Sequence, residues 1–262
     1  MAIDALVLAT SLGAARIAPV IWLVPALGGT RLPAPVRVGF AVLLALGAAP
    51  VLLGAGSTPA LDRVSALALA LLFAREVIVG LCLAVVAAGV FRAAEIAGRL
   101  ADTLRGANIA EVIAPTSDER ASPLAALYLL VATLLFLQLG GVERLLAALL
   151  HSYQAVPVGG GLSAGQARRT ALVVMASSAK LIADGLALSA PVLVAVWLAD
   201  VALGLVARAA PQIPVYFVGL PLKGLLAVGV ALLGLGGLPA LFAGDFAGWF
   251  GLLSRTLGGF LR

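Results

Sequence analysis

The chain has few of the side chains on which disulfides and most metal sites depend. Among its 262 residues there is one cysteine, Cys82, and one histidine, His151. A single thiol excludes a disulfide within the chain, and a single imidazole excludes a metal site built from several histidines. Cys82 lies in an apolar run and is interpreted as a small buried hydrophobic residue. Catalysis that needs histidine would depend on His151 alone, which disfavours an enzyme.

Charged side chains are also scarce. They make up 11% of the chain, whereas 63% of the residues are hydrophobic. A soluble domain has about 25% charged and about 45–50% apolar residues, so this composition predicts an integral membrane protein or part of a membrane assembly. The net charge of +5 does not indicate nucleic-acid binding, because the arginines are dispersed among apolar segments, as they are at the ends of membrane helices. Residues 1–27 lack a basic leader and a cleavage signal and are predicted to be a retained first helix.

The apolar stretches predict an all-α protein with about six apolar helical segments. Connections rich in glycine, proline or charge separate them at residues 28–38, 56–63, 92–122, 143–170 and 207–212. The charges of alternate connections balance, so the positive-inside rule favours neither orientation, and some of these helices need not cross a bilayer in the usual way. Pro157 and the glycines at 159–161 predict a flexible joint, which divides the chain into residues 1–157 and 158–262. Pro191 is predicted to interrupt the helix that follows the joint.

Several charged residues lie inside apolar segments, where a charge is costly unless it faces protein. Arg16 lies in the first segment. Arg75 and Glu76 are adjacent, and they are predicted to neutralise each other or to pair with a neighbouring helix or subunit. Lys180 and Asp184 are four residues apart, so their charges can meet on one helix face.

The second half contains a predicted helical hairpin. Arg208 suits the end of its first helix, and Pro211 and Pro214 prevent that helix from continuing. The return helix is predicted at residues 215–241, broken by Pro221. An intramembrane carboxylate without a local partner is a candidate functional group, and Asp200 is one that could face Lys223 across the hairpin. The tail at 245–262 suits an interfacial amphipathic end.

A polar segment at residues 92–123 contains nine of the chain's 29 charged residues. Residues 92–105 carry oppositely charged pairs at helical spacing and are predicted to continue a helix. Residues 106–122 are then the candidate loop. On composition alone, this loop is interpreted as a solvated connection between helices.

One catalytic motif occurs near the joint. Residues 161–165 match the G-x-S-x-G pattern of a hydrolase nucleophile, with Ser163 at its centre and His151 nearby. A nucleophile elbow follows a strand, whereas a run of glycines precedes Ser163. Ser163 and Gln166 instead fit the capping box S-x-x-Q at the start of a helix, which is the favoured interpretation.

The polar segment and the helical hairpin contain residues that match one known family in order along the chain. The matching residues are Glu95, Gly98, Asp102-Thr-Leu-Arg105-Gly106-Ala107, Ser122-Pro123-Leu124, Gln138-Leu-Gly140-Gly141, Ser152-Tyr153, Pro157, Asp200, Gly204-Leu205, Arg208-Ala-Ala-Pro211-Gln212 and Pro221-Leu-Lys223. In these residues the chain resembles the export-gate protein of bacterial type III secretion, called the T component in injectisomes and the R component in flagella. Some details, such as the acid at Asp200 and the lysine at Lys223, look more like the injectisome branch, whereas residues 219–222 look equally flagellar.

The resemblance implies a hetero-oligomer in the bacterial inner membrane. One copy would join several copies of the P-type and Q-type subunits (R and S in injectisomes), with the autocleaving switch protein, around a central pore for unfolded secreted proteins. Residues 1–157 would correspond to a P-type subunit, and residues 158–262 to a Q-type helical hairpin. The apparently transmembrane helices would be largely raised out of the membrane plane, and no cofactor or metal is implied.

The resemblance also implies which residues act. The segment at 106–122 would be a plug that closes the pore, with mobile residues at its start, an apolar seal and stiffening prolines. These plug residues are Arg105, Gly106, Ala107, Asn108, Ile109, Val112, Ile113, Pro115, Ser122 and Pro123. The hairpin residues expected to serve assembly are Asp200, Gly204, Arg208, Pro211, Gln212, Pro221 and Lys223.

The favoured function is therefore a pore and gate subunit without enzymatic activity. One alternative is a small secondary transporter, in which Asp200 and Lys223 form an ion site near the bilayer midplane. A hydrolase acting through Ser163 is a third, weaker hypothesis.

Overall fold

The computed structural model describes residues 2–29, 32–54, 65–107, 122–160, 163–234, 248–249 and 251–252. Within these ranges there are eight α-helices, a short 3-10 helix at Pro25–Leu27 and no strand, which confirms the all-α prediction. The helices are α1 (Ala2–Leu23), α2 (Ala34–Gly47), α3 (Ala49–Gly54), α4 (Ala66–Leu104), α5 (Pro123–Gln138), α6 (Gly141–Ala155), α7 (Ala164–Ala209) and α8 (Val215–Gly234).

Four of the described helices, α1, α4, α7 and α8, are long and apolar enough to cross a membrane. Helices α5 and α6 would add a fifth span if counted together, although they are bent by 72° at the break between them. Helix α4 has 39 residues and α7 has 46. At 1.5 Å per residue they are about 58 Å and about 69 Å long, roughly twice the thickness of a hydrocarbon core. Part of each must therefore lie outside the hydrocarbon if it crosses a membrane.

Two prolines expected to break helices lie inside continuous ones. Pro191 is within α7 and Pro221 is within α8, so both predicted interruptions are wrong. A proline removes one backbone hydrogen bond and bends a helix, but apolar residues on both sides still favour the same helix, and long apolar helices tolerate this loss. Helix α8 is described as far as Gly234, and the rest of the predicted return helix lies outside the described residues.

The start of α7 confirms the predicted capping box. The Ser163 amide donates to Gln166 Oε1 at 2.8 Å, and the Gln166 amide donates to Ser163 Oγ at 3.2 Å. Each side chain therefore satisfies a backbone N–H that the first turn of a helix leaves without a partner. His151 Nδ1 lies 3.1 Å from Gln154 Oε1, one turn further along its own helix. These contacts support a structural role for Ser163.

The chain forms two compact units, each assembled from separate stretches. The first contains Met1–Gly89, Phe136–Ala179 and Phe246–Arg262, and the second contains Val90–Leu135 and Lys180–Asp245. In the first unit α1 packs against α2 and α3, with a core that includes Leu12, Ile21 and Leu52. Helix α4 touches the backbone of α1 at Gly80, where a Cβ atom would collide with the Arg16 carbonyl. The division into residues 1–157 and 158–262 stays a prediction.

Candidate functional site

The two ends of the predicted plug meet at Asp102. This residue lies in the last turn of α4, and its side chain is almost completely buried. Its Oδ1 accepts a hydrogen bond from Arg105 Nε at 2.7 Å. Its Oδ2 accepts from Ser122 Oγ at 2.6 Å and from the Leu124 amide at 2.9 Å. One carboxylate therefore joins the residues that enter the loop to those that leave it. We call this group of four residues the Asp102 clamp.

The entry side of the clamp is a helix stop built around Gly106. The Gly106 amide donates to the Thr103 carbonyl at 3.1 Å, and the Ala107 amide donates to the Asp102 carbonyl at 3.0 Å. This pair of hydrogen bonds is the Schellman motif, and it places the residue after the cap in the left-handed region. Gly106 has φ +85°, which a glycine adopts without strain. Gly106 therefore ends α4 at a defined residue.

The exit side is held against α4 by close backbone packing. A Cβ atom at Gly98 would collide with the backbone of Leu124 and Ala125, so the first turn of α5 lies directly on α4. Pro123 is the first residue of α5, where a missing N–H has no cost. The residues expected between the two ends lie outside the described residues: Asn108 for mobility, Ile109, Val112 and Ile113 for the seal, and Pro115 for stiffening.

A second charged group lies on the exposed face of α4, just before the clamp. Glu95 Oε2 pairs with Arg92 Nη1 at 2.7 Å, and Glu95 Oε1 pairs with Arg99 Nη2 at 2.7 Å. The Arg92 and Arg99 side chains are 47% and 58% exposed, unlike the buried clamp. The predicted pairs at helical spacing are therefore formed.

Helices α7 and α8 form the predicted hairpin. Asp200 Oδ1 of α7 lies 2.8 Å from Lys223 Nζ of α8, which confirms that the two residues face each other. A Cβ atom at Gly219 would lie 2.9 Å from Leu203 Cδ1, so the side chain of Leu203 fills the space over this glycine. Arg208 is in the last turn of α7, and Pro211 and Gln212 are in the turn between the helices.

The structure brings the clamp close to this hairpin. A Cβ atom at Gly224 would lie 3.9 Å from Arg105 Nη1. The Arg105 guanidinium therefore bonds to Asp102 on one side and faces α8 at Gly224 on the other. Two stretches that are more than 100 residues apart in sequence meet at this point.

The hairpin exposes many large apolar side chains. The most exposed are Leu225 at 75% and Leu233 at 86%. Large apolar side chains that cluster at a protein surface are typical of contacts with lipid or with other proteins. Other exposed members are Trp197, Leu198, Val201, Leu205, Tyr216 and Phe217.

The remaining charged pairs include Arg16, which the sequence analysis did not place in a site. Glu76 forms a buried ion pair with Arg16 of α1, and Arg75 donates from Nη2 to the Pro157 carbonyl at 3.4 Å. Of the two options for Arg75 and Glu76, pairing with another helix is the one observed for Glu76. Lys180 and Asp184 pair within α7 at 2.6 Å, as predicted.

Asp102 and Arg16 are the functional candidates that the sequence-based site set omitted. The spacing of three residues between Asp102 and Arg105 indicates an ion pair on one helix face. Arg16 lies alone in an apolar segment, which indicates that it needs a polar partner. The spacing identifies Arg105 as a partner of Asp102. The other partners of Asp102 and all partners of Arg16 are contributed by distant segments, which neither signal identifies.

The comparisons agree with the resemblance found in the sequence. Residues 7–248 match the model of the bacterial export proteins, family 1. The chain is 33% identical over 201 residues to the flagellar biosynthetic protein FliR of Bacillus subtilis, a match that covers 76% of this chain and 75% of that protein. It is 34% identical over 165 residues to the Yop proteins translocation protein T of Yersinia pestis, which covers 63% of each chain. It is 35% identical over 151 residues to the secretion system apparatus protein SsaT of Salmonella typhimurium, which covers 58% of each chain. The chain therefore belongs to the bacterial export proteins, family 1.

Proposed function

We propose that this protein is a subunit of a type III secretion export apparatus in the bacterial inner membrane, where it forms and plugs a pore for unfolded proteins. Membership of the export family supports the role in export. The names of its relatives refer to flagellar biosynthesis, protein translocation and a secretion system apparatus. Assignment to the injectisome branch is part of the proposal, since FliR and translocation protein T match at 33% and 34% identity. The proposed role is not enzymatic.

The Asp102 clamp is the observation that best supports a plug. A gate loop must be held at both ends while its middle changes position. Asp102 receives hydrogen bonds from residues 105, 122 and 124, so the ends of the loop are fixed at a common point. A hydrogen bond to a charged group contributes about 1.5–3 kcal/mol. The helices can therefore keep their positions while the loop between them moves.

The hairpin supports assembly with other subunits. Its exposed apolar residues favour burial against lipid or another protein, and Asp200 on the same hairpin is 49% exposed. A half-exposed carboxylate is disfavoured against lipid hydrocarbon, so we propose that P-type and Q-type subunits, with the switch protein, cover this face. The transporter alternative is less favoured, because a cation at Asp200 would have to compete with the Lys223 ammonium group 2.8 Å away.

Deletion of residues 107–121 tests the plug. We expect the assembled complex to remain intact and the membrane to become permeable to small ions, because the segment that closes the pore is removed. Conductance across planar bilayers measures the effect, and co-purification of the partner subunits measures assembly. A matched second variant replaces residues 107–121 with a glycine-serine segment of equal length. It keeps the length of the connection and removes the seal, so it separates loss of the seal from shortening of the loop. Unchanged conductance in an intact complex of the deletion variant would contradict the plug.

Removal of the cross-helix charge tests the role of the hairpin in assembly. Asp200→Ala leaves Lys223 without its carboxylate, and Arg208→Ala removes the cation at the end of α7. Asp200→Ala is expected to lower the yield of complex about tenfold at limiting concentration, since one charged hydrogen bond corresponds to a factor of this order. Arg208→Ala is expected to lower it about two- to fivefold, since a cation at a helix end contributes about 0.3–1 kcal/mol. The yield is measured by size-exclusion chromatography after co-expression. Asp184→Ala is the matched control, because it breaks a pair within one helix. Normal yields from both variants would remove the proposed role.

A further inference from the structure

Arg16 of the first unit is completely buried, and its guanidinium bonds to three other residues. Its Nε donates to Glu76 Oε2 at 2.7 Å, and its Nη2 forms the second contact with the same oxygen. Nη1 donates to the Ser152 carbonyl at 2.8 Å and lies 3.3 Å from Ser152 Oγ, while Nη2 also donates to the Val156 carbonyl at 2.8 Å. A guanidinium has five N–H donors, so every donor has an acceptor. The side chains of Arg16 and Glu76 are completely buried.

Three of these five contacts go to the end of α6 and not to Glu76. Ser152 lies in the last turn of α6, and Val156 is the first residue after the helix. The Ser152 carbonyl also accepts a hydrogen bond from the Val156 amide at 2.9 Å, so Arg16 is a second donor to it. A cation at the C-terminal end of a helix is also favoured by the helix dipole. Arg16 therefore supplies donors and positive charge at the residue where the chain leaves α6.

Contacts made by Tyr153 and Pro157 also hold the end of α6. The Arg16 guanidinium lies over the Tyr153 ring, 4.6 Å from its centroid, and the Tyr153 hydroxyl donates to the Gly13 carbonyl at 2.8 Å. Arg75 donates to the Pro157 carbonyl. The residues from 152 to 157 are thus bonded to α1 and α4 immediately before the glycines of the joint.

We propose that Arg16 is a positioning residue that fixes where the joint begins. Arg16 and Gly13 of α1 bond to residues 152, 153 and 156, and Arg75 of α4 bonds to the Pro157 carbonyl. The position from which the chain enters the joint is therefore set by α1 and α4. A buried ion pair is often no more stabilising than a pair of apolar residues of similar size, so the Glu76 contact alone does not account for a fully buried arginine. This role does not depend on the export function proposed above.

Hydrogen exchange of the full-length protein in detergent tests this assignment. Two variants are compared with the parent. Arg16→Met combined with Glu76→Met removes both charges together, so no ion is left buried alone. Arg16→Lys keeps a cation for Glu76, but an ammonium group has three donors at one point and cannot also reach the carbonyls of residues 152 and 156. Arg99→Met is the matched control, because it removes an arginine from an exposed pair.

We expect amides of residues 153–160 to exchange about tenfold faster in both Arg16 variants, because each loses hydrogen bonds that hold this segment. Amides of α1 and of residues 66–89 are expected to keep their protection, and Arg99→Met is expected to change neither group. Unchanged exchange at 153–160 in both variants would overturn the assignment. Equal acceleration in α1, α4 and α6 would also overturn it, because the network would then stabilise the unit as a whole. Neither readout involves ion conductance, so failure here is distinguishable from failure of the plug.

Discussion

Replacing Asp102 with alanine is expected to release both ends of the loop at residues 106–122 and to open the proposed plug to ions while the helices persist. The variant loses the acceptor for Arg105 Nε, for the Ser122 hydroxyl and for the Leu124 amide in a single step. The Leu124 amide is buried, so no water replaces the lost acceptor at low cost. The Arg105 side chain is only 17% exposed, so its charge is poorly solvated once the Asp102 carboxylate is removed.

The expected size of this effect follows from the burial of the clamp. Removing one partner from a buried charged pair costs about 3–5 kcal/mol, which corresponds to local opening increased by at least about 100-fold. Hydrogen exchange at residues 102–107 and 122–126 measures the opening, and conductance of the assembled complex measures the barrier. Asp102→Asn keeps the shape of the side chain and one acceptor oxygen, so an intermediate effect is expected.

Glu95→Ala is the matched control for Asp102→Ala. Glu95 is also a carboxylate on α4 that bonds to two arginines, but those arginines are about half exposed. An exposed ion pair contributes about 0–1 kcal/mol, so exchange at the loop ends is expected to stay near that of the parent. A closed barrier and unchanged exchange in Asp102→Ala would show that the clamp does not hold the loop.

Arg16→Met alone is expected to destabilise the first unit by about 3–5 kcal/mol, because Glu76 is left as a buried carboxylate without a counter-ion. Glu76 Oε1 has no hydrogen-bond partner among the described residues, so Arg16 supplies the hydrogen bonds that this carboxylate receives there. Adding Glu76→Met removes the isolated charge, and most of the lost stability is expected to return, to within about 1 kcal/mol.

Denaturant unfolding of the two single variants and the double variant measures this recovery as a double-mutant cycle. The double variant distinguishes two effects of one network: stability is expected to return, whereas protection of residues 153–160 is not. Equal losses in Arg16→Met and in the double variant would contradict the account, since the cost would then arise from the arginine contacts alone.

Much of the fold follows from signals within a few residues of each other. The capping box at Ser163, the helix stop at Gly106 and the Lys180–Asp184 pair each depend on groups within five residues along the chain. Local hydrogen bonds and helical periodicity are sufficient to specify such features. The Asp200–Lys223 contact was also predictable, because a short turn brings two adjacent helices together. The predicted interruptions at Pro191 and Pro221 were wrong. A proline in the sequence indicates that one backbone hydrogen bond is lost, but it does not indicate whether packing preserves the helix.

By itself, the sequence determined an all-helical membrane-type chain, the location of the polar loop at 106–122 and the membership of an export family. Only the tertiary structure decided the partners of Arg16 and the partners of Asp102 beyond Arg105. Arg16 bonds to residues 60, 136 and 140 positions away, and Asp102 bonds to residues 20 and 22 positions away across the loop. A buried charge requires a partner, but the chain can provide that partner from any helix that packs nearby. The choice therefore depends on helix packing, which brings distant segments into contact.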